Sequence, residues 1–181
     1  MSTRHALVPT EIGELLLVAE STESSDGREG AGDALIGLYF PGHTYPPSED
    51  AIGERVEEAA DPLLSRVARE LREYLAGERR EFEAPIATHG DPLSEQVWQV
   101  LRRIPYGETT TYGVIAAELG RPGLAQRVGQ AVGHNPISIV IPCHRVLGAD
   151  GSLTGFAGGL ERKRRLLALE EPDAEAAGLL F

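Results

Sequence analysis

The chain has 181 residues, 41% of them hydrophobic, and a net charge of −11 at neutral pH. That suffices for one or two small domains with a buried core, and no apolar run approaches the roughly 20 residues that span a bilayer. A single cysteine excludes an internal disulfide framework and a four-cysteine zinc site, while the acidity argues against a generic nucleic-acid binder.

The charge is uneven. Residues 1–88 hold 8 arginines against 18 acidic residues, whereas residues 89–181 hold 9 basic against 10. Between Glu95 and Arg165 the balance reverses, with 9 basic residues against 5 acidic ones. The front half therefore reads as a solvated acidic surface, and the back half can still meet phosphate. Met1-Ser2-Thr3-Arg4-His5 leads into no signal-type apolar core, so a soluble cytoplasmic protein is expected.

In chain order, Glu11 to Ala19 and Ala34 to Phe40 read as strands, joined through the polar, Gly-rich stretch STESSDGREGAGD as a hairpin with a long tip. A helix is expected from Pro62 to Ala76, capped by Asp61 and stopped by Gly77. Its apolar stripe is Leu63, Leu64, Val67, Leu71, Tyr74 and Leu75. Glu81 to Ala87 reads as a further strand. No catalytic pattern emerges in this half.

His89-Gly90-Asp91-Pro92 marks a boundary. Asp91 caps a helix to about Arg103, Thr110 or Thr111 caps a short helix to Leu119, and Pro122 opens another to about Val132. Two short helices about a Gly-containing turn form a helix-turn-helix pattern, which many helical hairpins that bind nothing also show. At 100° per residue, Leu124, Val128, Ala131 and Val132 share one side of the last helix. Gln126 falls opposite them, with Gln130, Gly129 and Gly133 on the same outer half and Arg127 on the flank. A small, amide-bearing face lets the backbone approach a partner closely, whether a DNA groove or a protein surface.

Ile137 to Ile141 then reads as a short buried strand that delivers Cys143. The last helix, Leu160 to about Glu170, is expected to carry Arg162-Lys163-Arg164-Arg165 outward. A lone cytosolic cysteine is most often inert core filler. Here His144 and Arg145 follow it directly, and each favours the thiolate, the nucleophilic form. Glu170 or Glu171 can supply the carboxylate that orients a histidine base.

The run Asn135-Pro136-Ile137-Ser138-Ile139-Val140-Ile141-Pro142-Cys143-His144-Arg145-Val146 resembles the active-site segment of the O6-alkylguanine-DNA alkyltransferases. Ile104-Pro105-Tyr106-Gly107-Glu108, Thr111-Tyr112 and Leu153-Thr154-Gly155-Phe156-Ala157-Gly158-Gly159 also match. The resemblance is strong from about Val97 to Glu170 and loose over residues 1–88. It implies an α/β chain: an acidic, structural, ribonuclease H-like sheet-plus-helix domain over residues 1–88, then a winged helix-turn-helix alkyltransferase domain over residues 89–181.

The implied reaction is irreversible transfer of an alkyl group from O6-alkylguanine, and possibly O4-alkylthymine, to Cys143, once per molecule. His144 would take the thiol proton through a water, held by Glu170, and Tyr112 would donate to the departing base. The carbonyls of Cys143 and Val146 and the Ala157 amide would hold the base, with Arg145 and Phe156 beside it and Asn135 bracing the turn. Thr110, Tyr112, Gln126, Arg127, Gln130 and Gly133 would face the DNA. The implied partner is double-stranded DNA containing O6-alkylguanine, bound by a monomer, with no membrane, cofactor or metal. The target base would have to leave the helix stack.

The sequence departs from the family in two informative places. Gln126 stands where the family usually has an arginine that fills the flipped-base gap, so either Gln126 plugs the stack as a neutral amide or Arg127 swings across. Phe156 stands where tyrosine is common. An alkyltransferase-like protein that binds damage without repairing it is the alternative, although such proteins replace the cysteine. An unrelated helix-turn-helix regulator with an incidental thiol is a third reading.

Overall fold

The structure is a computed structural model that describes residues 2–21 and 32–171. Residues 22–31, the expected hairpin tip, lie outside the described residues. The fold is mixed α/β. Strands β1 (Ser2–Thr10), β2 (Gly13–Ser21) and β3 (Ala34–Tyr39) form an antiparallel sheet in the order β3-β2-β1, and the two-residue β4 (Glu54–Arg55) adds in parallel to β1. A one-turn helix, α1 (Glu49–Ile52), precedes β4.

Strand β1 is absent from the expectations above. Its first half is polar, and only Ala6 and Val8 alternate cleanly into the core, so the period-2 signal is weak. What holds that half is distant in sequence: Arg4 pairs with Asp61 and with Asp33, and donates 2.7 Å to Ser21 Oγ. The second strand starts at Gly13 rather than Glu11, because Glu11 and Ile12 form the tight turn of the hairpin.

Helix α2 (Pro62–Leu75) lies across the sheet. Asp61 caps it by accepting from Leu64 N, and every residue of the expected stripe is buried. The segment Glu81–Ala87 is not a strand. It makes a single bridge, Leu35 to Ile86, because Glu70 on α2 takes the amides of Glu83 and Ala84 that a strand would need for pairing.

Helices α3 (Pro92–Leu101), α4 (Tyr112–Glu118) and α5 (Ala125–Gly133) form the back half. Trp98 Nε1 on α3 donates to Ala131 O on α5 at 2.9 Å. Thr111 caps α4, and Gly120 ends its turn with φ +70°. Pro122–Leu124 is a 3-10 turn before α5, so the expected single helix from Pro122 is two pieces. Strands β5 (Thr110–Thr111) and β6 (Val146–Leu147) pair in parallel, and α6 (Leu160–Glu170) closes the described chain. One buried apolar cluster runs through both halves. Among the described residues no helix is long and apolar enough to cross a membrane.

Candidate active site

The segment before the cysteine is a braced turn rather than a strand. Asn135 Nδ2 donates to Ile141 O at 2.8 Å, its Oδ1 accepts from Ile137 N at 3.0 Å, and Ile141 N donates to Ile137 O at 2.9 Å. Ile139, at the turn, has φ +72°. A β-branched residue pays in strain there, on the order of 1–2 kcal/mol, and persists only where its surroundings fix it. The buried Asn135 is that fixing group. Five apolar residues in a row read as a strand, but only one bridge, Leu38 to Ile137, joins this segment to the front sheet.

Cys143, His144 and Arg145 form one 3-10 turn, and all three are buried. Burial pushes the Cys143 thiol above its ordinary value. The groups that oppose this and favour the anion are Asn135, Lys163 and Ser138. Arg145 and the Nε2 side of His144 are engaged with Glu170, which leaves His144 Nδ1 as the imidazole's open position. His144 Nε2 lies 2.8 Å from Glu170 Oε1. Arg145 forks onto Glu170, with Nε to Oε2 and Nη2 to Oε1 both at 2.8 Å, while Nη1 donates to Ile104 O at 2.6 Å.

A carboxylate only accepts, so His144 carries its proton on Nε2 and presents Nδ1 as an acceptor. That Nδ1 is buried, and no group among the described residues bonds it. Burial pushes the imidazole below its ordinary pKa, against the pull of Glu170. Burial alone would raise Glu170, but the hydrogen bonds from His144 and Arg145 overturn that and hold its carboxyl well below the usual range. The arrangement is a buried thiol beside a neutral imidazole that a fixed carboxylate orients. It can remove a proton from a nucleophile without metal-ligand spacing.

The expected outward run Arg162 to Arg165 is also corrected. Lys163 is fully buried, and its Nζ donates to Val146 O at 2.6 Å, Thr154 O at 2.9 Å and Gly155 O at 3.4 Å. Burial lowers its pKa to about 8. The missed signal is helical phase: Lys163, Leu166 and Glu170 lie three and four residues apart and share the inward face. Tyr74 is the second residue the sequence did not single out, since its place in the α2 stripe marks it only as core. Its hydroxyl donates to Glu170 Oε1 at 2.6 Å.

The other expected residues surround this centre. Tyr112, at the start of α4, donates to Thr154 O at 3.2 Å. Phe156 packs on Phe40, with ring centroids 5.6 Å apart, and Ala157 O accepts from Thr44 N at 2.9 Å, so this loop rests on the front half. The Cys143 carbonyl already accepts from Val146 N, and the Val146 carbonyl from Lys163, leaving each one further lone pair. Thr110 sits in β5 opposite Val146. Gln126, Arg127 and Gln130 are exposed on α5, and Gly133 is half-buried. Arg127, Gln130 and His134 line a cleft of about 380 Å³ with Asp91, Ser94 and Trp98 of α3 and its cap.

The site is a buried cysteine beside a histidine that a carboxylate orients, in a chain that also carries a helical hairpin with an exposed amide face, an arrangement of the kind cysteine-dependent group-transfer proteins use. The family model described as 6-O-methylguanine DNA methyltransferase, DNA binding domain, matches residues 92–172. The methylated-DNA–protein-cysteine methyltransferase of Mycobacterium tuberculosis is 46% identical over 153 residues, covering 84% of this chain and 89% of that protein. The crystal structure of the M. tuberculosis O6-methylguanine methyltransferase superposes with a TM-score of 0.77 at 40% identity, covering 93% of each chain. The same organism's OGT in complex with DNA gives 0.75 at 38% identity, covering 93% and 92%. The chain belongs to the methylated-DNA–protein-cysteine methyltransferase family.

Proposed function

We propose that this protein repairs DNA by moving a methyl or larger alkyl group from O6 of guanine to Cys143 Sγ. The S–C bond forms as the C–O6 bond breaks. The thiol proton passes to His144 Nδ1 through a water and leaves an imidazolium. Guanine leaves with a proton donated by Tyr112, and exchange with solvent then returns a proton to Tyr112 and removes one from His144, so one proton is lost by sulfur and one is gained by the base. The thioether is not reversed, and each molecule acts once. The observation that carries the reading is the only cysteine, buried beside a neutral His144 that Glu170 orients.

The partner is double-stranded DNA containing O6-alkylguanine, met by a monomer in the cytoplasm. Residues 89–181 act as a winged helix-turn-helix that accepts DNA and alkyl group, and residues 1–88 as an acidic, ribonuclease H-like support. Thr110, Tyr112, Gln126, Gln130 and Gly133 face the DNA. Gln126 fills the gap left by the extruded base, since Arg127 borders the cleft against α3. The remaining lone pairs of the Cys143 and Val146 carbonyls accept from the guanine amine, and the Ala157 amide meets O6 beside Phe156. Arg145 acts through Glu170 rather than on the base.

Intact mass after mixing with an O6-methylguanine oligonucleotide tests this. One methyl group per protein, absent in Cys143→Ser, is the expected outcome. Tight binding to the lesion with no mass gain would identify a damage-recognition protein instead.

A further inference from the structure

The site receives one side chain from the acidic half. Tyr74, in the last turn of α2, is fully buried, and its hydroxyl stands 2.6 Å from Glu170 Oε1 and 3.4 Å from His144 Nε2. Oε1 is the oxygen that also receives His144 Nε2–H and Arg145 Nη2, each at 2.8 Å. Three donors thus converge on an oxygen with two in-plane lone pairs, so the phenol and the imidazole compete for the same charge.

Packing does not ask for that hydroxyl. The ring fills its place against Phe82 and Tyr106, with centroids 5.3 and 6.2 Å away, and phenylalanine would make both contacts. A buried hydroxyl is unfavourable unless it is bonded, and here its donation goes to the carboxylate that orients His144. Burial and the Glu170 charge raise the Tyr74 pKa, so it stays a donor.

The charged and titratable groups facing His144 come from three places. Cys143 and Arg145 flank it in the same turn, Lys163 and Glu170 come from α6, Tyr74 from α2, and behind these Tyr106, from the loop after α3, packs on Tyr74 and Arg145 rather than on the imidazole. Arg145 and Lys163 disfavour an imidazolium there, and only Glu170 draws a proton onto the ring. The Tyr74 hydrogen bond takes up part of the carboxylate charge, so less of it acts on His144.

We propose that Tyr74 is a positioning residue of the alkyl-transfer site: its hydroxyl fixes Glu170 Oε1 and keeps His144 neutral, with Nδ1 free to accept the thiol proton. This rests on the reading of Cys143 as the alkyl acceptor. A hydrogen bond to a charged acceptor is stronger than one between neutral groups, and only part of its effect reaches His144.

The test is Tyr74→Phe, read in two ways. One is the titration of the His144 imidazole by NMR, assigned with His144→Gln. The other is the pH dependence of single-turnover methyl transfer to the full chain. Both the His144 midpoint and the acid limb of the rate should move up by about one pH unit, since 1.4 kcal/mol corresponds to one unit, and the high-pH plateau should persist. Tyr74→Leu should lose stability without moving the midpoint further. Placing 3-fluorotyrosine at position 74 strengthens the donor and should move the midpoint down, which keeps the test available if the phenylalanine variant fails to fold. An unchanged midpoint in Tyr74→Phe, or in the fluorotyrosine protein, overturns the proposal and leaves Tyr74 as packing alone. Wild-type protein that gains no methyl group would instead sink the transfer reading, and the NMR titration tells the two failures apart.

Discussion

The two halves of the molecule bury charge in different ways. In the front half, Arg4 joins Asp61 and Asp33, and Glu70 caps the backbone of Glu83 and Ala84, so each buried charge ties one element to the next. In the back half, Asn135, His144, Arg145, Lys163 and Glu170 are buried together around a single thiol. Burying polar groups is costly unless they are satisfied. The front half spreads that cost along its frame, and the back half concentrates it where a proton must be held. The net charge of a region therefore says little about its chemistry: the strongly acidic half supplies scaffold and one phenol, while the nearly neutral half holds the reactive group.

Removing the shared carboxylate should break this contrast most severely. Glu170→Ala leaves His144, Arg145 and Tyr74 without their acceptor in a buried site. It should destabilise by about 3–5 kcal/mol in denaturant unfolding and slow methyl transfer. Arg4→Met, its counterpart in the front half, should cost less and leave the transfer rate per folded molecule unchanged. The pH dependence follows from the sign of the shifts. Glu170 and His144 both have lowered folded pKa values, so the unfolded chain takes up their protons first. Stability should thus fall as pH drops through about 6.5 and further below about 4.5, and Glu170→Ala should flatten the lower part. A variant with the wild-type acid profile would contradict the assignment of that carboxylate.

Lys163→Met comes next. Three carbonyls lose a donor, a loss of about 1–3 kcal/mol. Because the folded lysine has a pKa of about 8 against 10.5 ordinarily, wild-type stability should rise with pH across that interval, and the variant should lack the rise. It should also react more slowly with an alkylating thiol probe, since Lys163 favours the Cys143 anion. The smallest effect is at the surface. Gln126→Arg should steepen the dependence of log affinity on log salt by about one. An unchanged slope would place residue 126 away from phosphate.

Much of the site is legible in the sequence because its residues are close together in the chain. Asn135 to Val146 is one stretch, and Glu170 was one of two candidates for the orienting carboxylate; the geometry selects it over Glu171. The rest depends on facts that no local pattern carries. Tyr74 looks like any stripe residue until its hydroxyl is seen to meet a group 96 positions away. Lys163 hides in a basic run, where charge suggests solvent and only helical phase points inward. Strand β1 depends on Arg4 finding Asp61, 57 residues later. Ile137–Ile141 reads as a strand because its composition is that of one, and the left-handed Ile139 is a product of the Asn135 brace.

The bridge between Leu38 and Ile137 has a consequence for how the chain is made. Leu38 N donates to Pro136 O, and Ser138 N donates to Leu38 O. On the ribosome, the start of this β3 edge is covered at Leu35 by Ile86 about fifty residues later, but its end at Leu38 stays open for almost a hundred residues. An uncovered edge invites pairing with other chains. The segment that delivers the thiol also completes the front sheet, so a nascent chain cannot finish its first half until it has begun to build its reactive centre.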